Sequence, residues 1–171
     1  DMIVANGTRL KTGFLGTPYL LHALSSNGYS ELAYGLLLQE AFPSWLYSVN
    51  MGATTIWEHW DGIKPNGDTW PVSMNSYNHY AYGAVGDWMY GVVAGINTVE
   101  EAPGFAKVHF SPIPDDRIDW FKAEIQTAYG KVSSHWWHED GKVHYEIITP
   151  VDSTAVIEDK EYNLSPGKHV I

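Results

Sequence analysis

The five residues Glu100-Glu101-Ala102-Pro103-Gly104 separate two different patterns of hydrophobic residues. Before them, apolar residues recur at helical spacing, and after them apolar and polar residues alternate as they do in β-strands. A change of period beside a Pro-Gly pair indicates a domain boundary. We therefore predict an α + β fold in two parts, a helical part over residues 1–104 and a small antiparallel β-sandwich over residues 105–171.

Helix signals are clear in the first part. Thr17 as N-cap and Pro18 at the first helical position predict a helix that ends before Gly28. A second, largely apolar helix is predicted to begin at Ser30. Residues 76–95 again have a helical pattern, and their several glycines predict close packing against another helix, as in a bundle or an α/α toroid.

Short strands are predicted in the second part from runs of Val, Ile, Thr and aromatic residues. The predicted strands cover residues 106–110, 120–127, 131–138, 143–149 and 154–157. The stretch Glu139-Asp140-Gly141-Lys142 contains the Asp-Gly pair of a two-residue hairpin turn. The third and fourth predicted strands should therefore be antiparallel neighbours.

The composition of the 171-residue chain argues against several classes of function. Twenty acidic and ten basic residues give a formal net charge of −10, which disfavours nucleic acid and anionic membranes as partners. No apolar run is long enough to cross a bilayer, so we predict a soluble chain. The absence of cysteine excludes disulfides and thiolate metal ligands but leaves the compartment open, whether cytoplasmic, periplasmic or secreted.

The stretch Gly52-Ala53-Thr54-Thr55-Ile56-Trp57-Glu58-His59-Trp60-Asp61-Gly62 opens a long predicted loop over residues 52–74. It places one carboxylate, Glu58, between Trp57 and Trp60. Aromatic faces pack against the C–H surfaces of sugars, and carboxylates act as acid, base or nucleophile when a glycosidic bond is cut. The motif therefore indicates a carbohydrate-cleaving site with Glu58 as its reactive group.

Two interpretations of Glu58 stay open at this point. It is either a general base, whose carboxylate Thr54-Thr55 can hydrogen-bond, or an acidic loop residue that caps a turn or pairs with Lys64. An inverting site needs a second carboxyl group roughly 6.5–9.5 Å away. Asp61 and Asp68 are the local candidates, but each adjoins a glycine, a position typical of turns.

His79 lies at the entrance of the third predicted helix. It either hydrogen-bonds a backbone group there, or it donates to a sugar hydroxyl or orients the carboxylate of Glu58. The other histidines lack the pattern of a metal site, because His135 and His138 are three residues apart in a predicted strand and face opposite sides. We expect no metal and no cofactor.

Three motifs, in this order, resemble the C-terminal part of bacterial α-L-rhamnosidases, glycoside hydrolase family 78. They are Gly13-Phe14-Leu15-Gly16-Thr17, the stretch over residues 52–62 and the stretch over residues 76–88. The resemblance covers essentially the whole chain. It implies the last helices of an (α/α)6 toroid followed by the C-terminal β-sandwich.

The resemblance also implies an activity and a set of site residues. The activity is inverting hydrolysis of terminal α-L-rhamnose from a rhamnosylated glycoside or polysaccharide. Glu58 matches the general base of the family and His79 a sugar-contacting histidine. Trp57 and Trp60 flank the base in the matching motif and are expected to line the substrate site.

The general acid of that family, a Glu in an acidic motif with Asp and Arg, has no match in this chain. We therefore expect a fragment that supplies the base of a glycoside hydrolase and is inactive, or nearly so, by itself. Its expected partner is the missing upstream part of the same polypeptide, without which the fragment should self-associate or expose an apolar patch. Two alternatives stay open, a non-catalytic carbohydrate-binding or structural domain and an (α/α)6 glycosidase for a different sugar.

Overall fold

The computed structural model describes residues 2–171, which divide after Gly86 into two compact units. The first unit is helical, and α2 and α3 pack against each other. The helices are α1 (Met2–Ala5), α2 (Thr17–Ser26), α3 (Ser30–Leu37) and α4 (Trp45–Asn50), and short 3-10 turns follow at Val72–Met74 and Tyr80–Ala84. The buried side chains of this unit include Leu21, Tyr34, Leu36 and Trp45.

The first turn of α2 differs in one detail from the sequence-based prediction. Gly16 is the N-cap, and Thr17 already belongs to the helix. The hydroxyl of Thr17 donates to the carbonyl of Thr12 at 3.2 Å and lies 2.9 Å from the Thr12 hydroxyl. Thr17 as N-cap is therefore wrong, because its side chain hydrogen-bonds the preceding turn. The predicted start of the second helix at Ser30 is confirmed.

The helix predicted over residues 76–95 is broken into short pieces. After the turn at Tyr80–Ala84 come α5 (Val85–Trp88) and a π-helical turn (Met89–Val93). Gly95 has φ +67, and a Cβ there would lie 2.0 Å from the backbone nitrogen of Pro112. The glycine thus admits a loop segment, and the close helix packing predicted from it is wrong at this position.

The second unit is a β-sandwich, as predicted. Its strands are β1 (Ile96–Thr98), β2 (Val108–Phe110), β3 (Trp120–Thr127), β4 (Gly130–Glu139), β5 (Lys142–Thr149), β6 (Ser153–Ile157), β7 (Lys160–Leu164) and β8 (Gly167–Val170). Within the described residues they form two four-stranded sheets, ordered β1-β2-β6-β7 and β3-β4-β5-β8. Strands β2 and β6 are parallel, and the other pairs are antiparallel. Strand β1 lies before residue 104, at which the sequence predicts the end of the helical part. The domain boundary at residue 104 stays a prediction.

The core of the sandwich comes from alternate residues of these strands. Trp136 is fully buried, and its indole N–H donates to the carbonyl of Val93 at 2.8 Å. The predicted hairpin turn between β4 and β5 is confirmed, with Asp140 and Gly141 at φ 50 and 72. Positive φ at both central residues is the geometry of a type I′ turn.

Several large apolar side chains of the first unit are exposed to solvent. They include Leu15, Tyr19, Tyr29, Val49, Val72 and Tyr80. The expected docking of further polypeptide, or self-association, rests on this exposure and stays a prediction. Among residues 2–171, no helix combines the length and apolar character that spanning a bilayer requires.

Candidate active site

Glu58 is held in place by hydrogen bonds to Ser76, which lies eighteen residues later in the first unit. Its backbone N–H donates to the carbonyl of Ser76 at 2.8 Å, and the N–H of Ser76 donates to its carboxylate Oε2 at 2.9 Å. Two residues before Glu58, the carbonyl of Ile56 accepts the N–H of His79 at 2.9 Å. These three bonds bring Glu58 and His79 onto adjacent backbone segments and fix the direction of the half-buried carboxylate.

The predicted hydrogen bond from Thr54 or Thr55 to the carboxylate of Glu58 is not found among the described residues. The hydroxyl of Thr55 donates to the carbonyl of Tyr77, which ties the two segments together. The hydrogen bond to the carboxylate comes instead from a backbone amide eighteen residues away. A main-chain N–H carries no residue-type signal, so the sequence could not reveal this partner.

The imidazole of His79 is sandwiched among aromatic rings. It stacks on the ring of Phe14 with centroids 4.7 Å apart and an interplanar angle of 16°, and the ring of Tyr80 lies nearly parallel at 6.3 Å. Its Nδ1 atom is buried without a hydrogen-bond partner among the described residues. Buried polar atoms are rarely left unpaired, so the Nδ1 of His79 is an exception to the usual packing.

Phe14 reaches His79 from a tight turn that precedes α2. The carbonyl of Gly13 accepts the N–H groups of Gly16 at 3.2 Å and Thr17 at 3.0 Å, which closes the turn around Phe14. Sequence reasoning did not identify Phe14 as a site contact. The available signal was the glycine-flanked motif over residues 13–17, which forms the turn that holds Phe14 against His79.

The two tryptophans beside Glu58 occupy different environments. Trp57 is buried, and its ring meets that of Tyr77 edge-on at 5.4 Å. Trp60 is half-buried and stacks on Tyr82 with centroids 3.7 Å apart. Burial raises the pKa of the Tyr82 phenol.

Both tryptophans line a largely apolar cavity of about 310 Å3. The other lining residues are Trp45, Ser48, Val49, Ala53, Thr54, Thr55, Ile56 and Tyr82. In the part of the chain that the structure describes, neither Glu58 nor His79 belongs to this lining. The cavity therefore lies beside the Glu58 motif, and the sugar contacts expected for Trp57 and Trp60 stay predictions.

The rest of the loop forms an aromatic brace around Trp70. The indole N–H of Trp70 donates to Asp61 at 3.0 Å, and the imidazole of His59 stacks on its ring at 4.6 Å. The ammonium of Lys64 lies 4.6 Å from the centroid of the same ring. Lys64 thus contacts an aromatic face, which does not support its proposed pairing with Glu58.

Asp68 also has a local structural contact. Its carboxylate accepts the side-chain N–H of Asn66 at 2.7 Å, and its backbone N–H donates back to that side chain at 3.1 Å. Asp61 and Asp68 therefore adopt the turn and bracing positions that adjacent glycines indicate. A search of residues 2–171 finds no group of three His, Cys, Asp or Glu side chains arranged to hold a metal ion.

Comparison with known proteins adds two family matches. Residues 1–93 match the family model described as bacterial alpha-L-rhamnosidase 6 hairpin glycosidase domain. Residues 95–171 match the bacterial alpha-L-rhamnosidase C-terminal domain.

Individual relatives agree with these matches. An α-L-rhamnosidase of Formosa agariphila is 43% identical over 87% of this chain, and one of Streptomyces avermitilis is 41% identical over 91%. The chain spans only 16% and 15% of the length of these two proteins.

Solved structures give the same result for the fold. A crystal structure of Streptomyces avermitilis α-L-rhamnosidase complexed with L-rhamnose matches with a TM-score of 0.90 and 33% identity, covering 99% of this chain and 18% of that one. An α-L-rhamnosidase from Aspergillus terreus matches with a TM-score of 0.90 and 35% identity, covering 99% of this chain and 20% of that one. The chain thus belongs to the bacterial α-L-rhamnosidase family, with a six-hairpin glycosidase part followed by the C-terminal domain of that family.

Proposed function

We propose that this chain is part of an inverting α-L-rhamnosidase that removes terminal α-L-rhamnose from glycosides. Within it, Glu58 is the general base and His79 contacts the sugar. Trp57 and Trp60 shape the apolar side of the site. The proposal rests on family membership together with the geometry around Glu58.

The observation that carries the proposal is the fixed carboxylate of Glu58 on a backbone segment that is hydrogen-bonded to the segment bearing His79. The N–H of Ser76 holds one carboxylate oxygen, which restricts the rotation of the side chain. The buried Nδ1 of His79 has no partner among residues 2–171, although the backbone of His79 is anchored two residues from Glu58. A pre-oriented carboxylate suits the binding of a water molecule from which it can accept a proton.

In the proposed reaction, Glu58 accepts a proton from a water molecule. The water oxygen attacks the anomeric carbon from the face opposite the leaving group while the glycosidic C–O bond breaks. A general acid gives its proton to the departing oxygen. The products are β-L-rhamnose and the free aglycone alcohol, and afterwards the acid recovers the proton held by Glu58 through solvent.

The acid of this reaction is proposed to come from a part of the enzyme outside this chain. Asp61 and Asp68 are the acidic residues closest to Glu58 in the loop sequence, and both are engaged with neighbouring loop residues. Without an acid, a base alone forgoes the roughly 10²–10⁴-fold that a positioned proton donor contributes. The chain by itself should therefore show little or no hydrolysis.

The test is the substitution Glu58→Gln in the full-length gene product, with an aryl α-L-rhamnoside as substrate. Loss of the base should lower kcat by about 10²–10⁴-fold with little effect on KM. Asp68→Asn is the matched control, because it changes an exposed carboxylate of the same loop and should leave kcat near its normal value.

The same assay separates the alternatives. Near-normal turnover by Glu58→Gln would remove Glu58 from the mechanism and leave a binding or structural role for the loop. A wild-type enzyme that hydrolyses only another sugar, such as an aryl glucoside, would overturn the assignment to rhamnose and favour a different (α/α)6 glycosidase.

A further inference from the structure

A row of aromatic rings crosses one face of the sheet β3-β4-β5-β8 in the second unit. Its members are Trp120 on β3, His135 and Trp137 on β4, and His144 on β5, and we call this set the aromatic ladder. It lies on the face opposite the buried Trp136, since side chains alternate along β4. The fold of the sandwich does not require these rings for its core.

The ladder is continuous from strand to strand. The rings of His135 and Trp137 stack at 4.8 Å, and those of Trp137 and His144 stack at 5.4 Å with an interplanar angle of 19°. Trp120 meets His135 edge-on at 6.2 Å. Because three neighbouring strands lie about 4.8 Å apart, the ladder extends over about 10 Å of the surface.

The ladder is accessible at one end and polar around its edges. Trp120 is 61% exposed, and its contact with His135 makes it part of a contiguous row of rings, which is more informative than a single exposed apolar side chain. It borders a shallow depression that also involves Asp119 and Lys122. The indole N–H of Trp137 points to the carboxylate of Glu139 at 3.3 Å.

The lysines beside the ladder are already paired with carboxylates. Lys122 lies 3.0 Å from Glu124, and Lys168 lies 2.8 Å from Glu146. The chain as a whole carries a net charge of −10. This surface therefore has no surplus of positive charge with which to attract a polyanion, whether a nucleic acid, an acidic polysaccharide or an anionic membrane.

We propose that the aromatic ladder is a second carbohydrate-binding surface, which takes neutral oligosaccharides. The exposed ring of Trp120 offers its surface to the C–H surface of a sugar ring, and the stacked rings of Trp137 and the two histidines extend this aromatic strip across the sheet. A neutral imidazole offers one hydrogen-bond donor and one acceptor, which matches the dual character of sugar hydroxyls. The absence of surplus charge selects against acidic sugars. This site is independent of Glu58 and requires no catalysis.

The experiment is titration calorimetry of the full-length enzyme with cellohexaose and xylohexaose, and with methyl α-L-rhamnopyranoside as a ligand of the Glu58 site. At least one hexasaccharide should bind with a Kd of about 1 mM, and Trp120→Ala should leave binding of the rhamnoside unchanged. Trp120→Ala should weaken binding of the hexasaccharide roughly tenfold, which corresponds to a loss of about 1.4 kcal/mol.

A matched control and a second readout make the result decisive. Tyr129→Ala removes an aromatic ring of similar exposure from the turn before β4 and should leave binding unchanged. Circular dichroism verifies that each variant is folded. The proposal is overturned if neither hexasaccharide binds at concentrations up to about 10 mM, or if Trp120→Ala binds a hexasaccharide as tightly as the parent enzyme. Sedimentation showing a dimer that Trp120→Ala abolishes, without saccharide binding, would assign the ladder to contacts between copies of the chain.

Discussion

Replacement of Phe14 tests whether the aromatic support of His79 contributes to catalysis. The two rings stack at 4.7 Å and 16°, and the ring of Tyr82 lies 5.1 Å from that of Phe14. An aromatic pair of this kind contributes about 0.5–1.5 kcal/mol beyond the burial of its surface. If the stack positions His79 against the sugar in the transition state, its loss should lower kcat/KM by about two- to tenfold.

The assay compares three variants of the full-length enzyme on an aryl α-L-rhamnoside. Phe14→Leu keeps an apolar side chain but removes the flat ring, so it should show the full loss. Phe14→Tyr keeps the ring and should restore most of the activity. Tyr129→Leu is the control, because it makes the same kind of change at an exposed ring in the second unit.

Equal kcat/KM values for Phe14→Leu and the wild type would show that the stack of Phe14 on His79 does not contribute to catalysis. The contribution of the stack would also be refuted if Phe14→Tyr lost as much activity as Phe14→Leu, since the effect would then not depend on the ring. Failure of the wild type to cleave rhamnosides is a separate result, because it concerns the proposed activity and leaves the stack itself unchanged.

Two further predictions concern the stability of the chain. Gly62→Ala would place a Cβ 2.9 Å from the ring of Trp57 and should lower the free energy of unfolding in urea by about 1–3 kcal/mol. Gly86→Ala, in open space, should have no effect or a stabilising one of up to about 1 kcal/mol, and equal effects of the two substitutions would contradict the packing described around Trp57. Burial, and then the negative charge of Glu158, raises the pKa of Tyr145 to about 12. Because the unfolded phenol titrates near pH 10, the stability that Tyr145 contributes should be complete below that pH and fall as the pH rises towards 12. Urea titrations in this pH range should show a smaller decline for Tyr145→Phe, and an unchanged decline would contradict the assignment.

The β-sandwich was predictable where local sequence is sufficient to specify a strand. Strands β3, β4 and β5 are rich in aromatic and β-branched residues, and Asp140-Gly141 specifies their hairpin. Strands β7 and β8 were missed because Lys160–Leu164 and Gly167–Val170 are short and mostly polar. They are strands because they pair with β6 and β5, and such pairing is not encoded in a local pattern.

The helical part shows the opposite error. The local pattern predicts one helix over residues 76–95, but the structure divides it into short pieces. Apolar spacing over residues 76–95 favours one helix, but the chain changes from 3-10 to α to π geometry within it. At its end, Gly95 turns the backbone against Pro112. The weak helix propensity of the glycines was visible in the sequence, whereas the segments they accommodate were not.

The sequence pointed to candidate site residues but not to the residues that support them. The Trp-Glu-His-Trp motif indicated Glu58 and the helix entrance indicated His79, and the roles of both stay predictions. The amide of Ser76 and the ring of Phe14 could not be assigned, because each reaches the site through folding of a separate segment. Distant backbone donors and stacking partners become visible only in three dimensions.

The proposed mechanism requires Glu58 to activate a water molecule for direct attack on the anomeric carbon. Proton NMR of the reaction of the full-length enzyme with an aryl α-L-rhamnoside reports which anomer of L-rhamnose forms first, before mutarotation mixes the two. We expect β-L-rhamnose as the first product, because a base-activated water inverts the configuration. Initial formation of α-L-rhamnose would contradict the proposed mechanism, since retention requires a covalent intermediate and would make a carboxylate such as Glu58 a nucleophile.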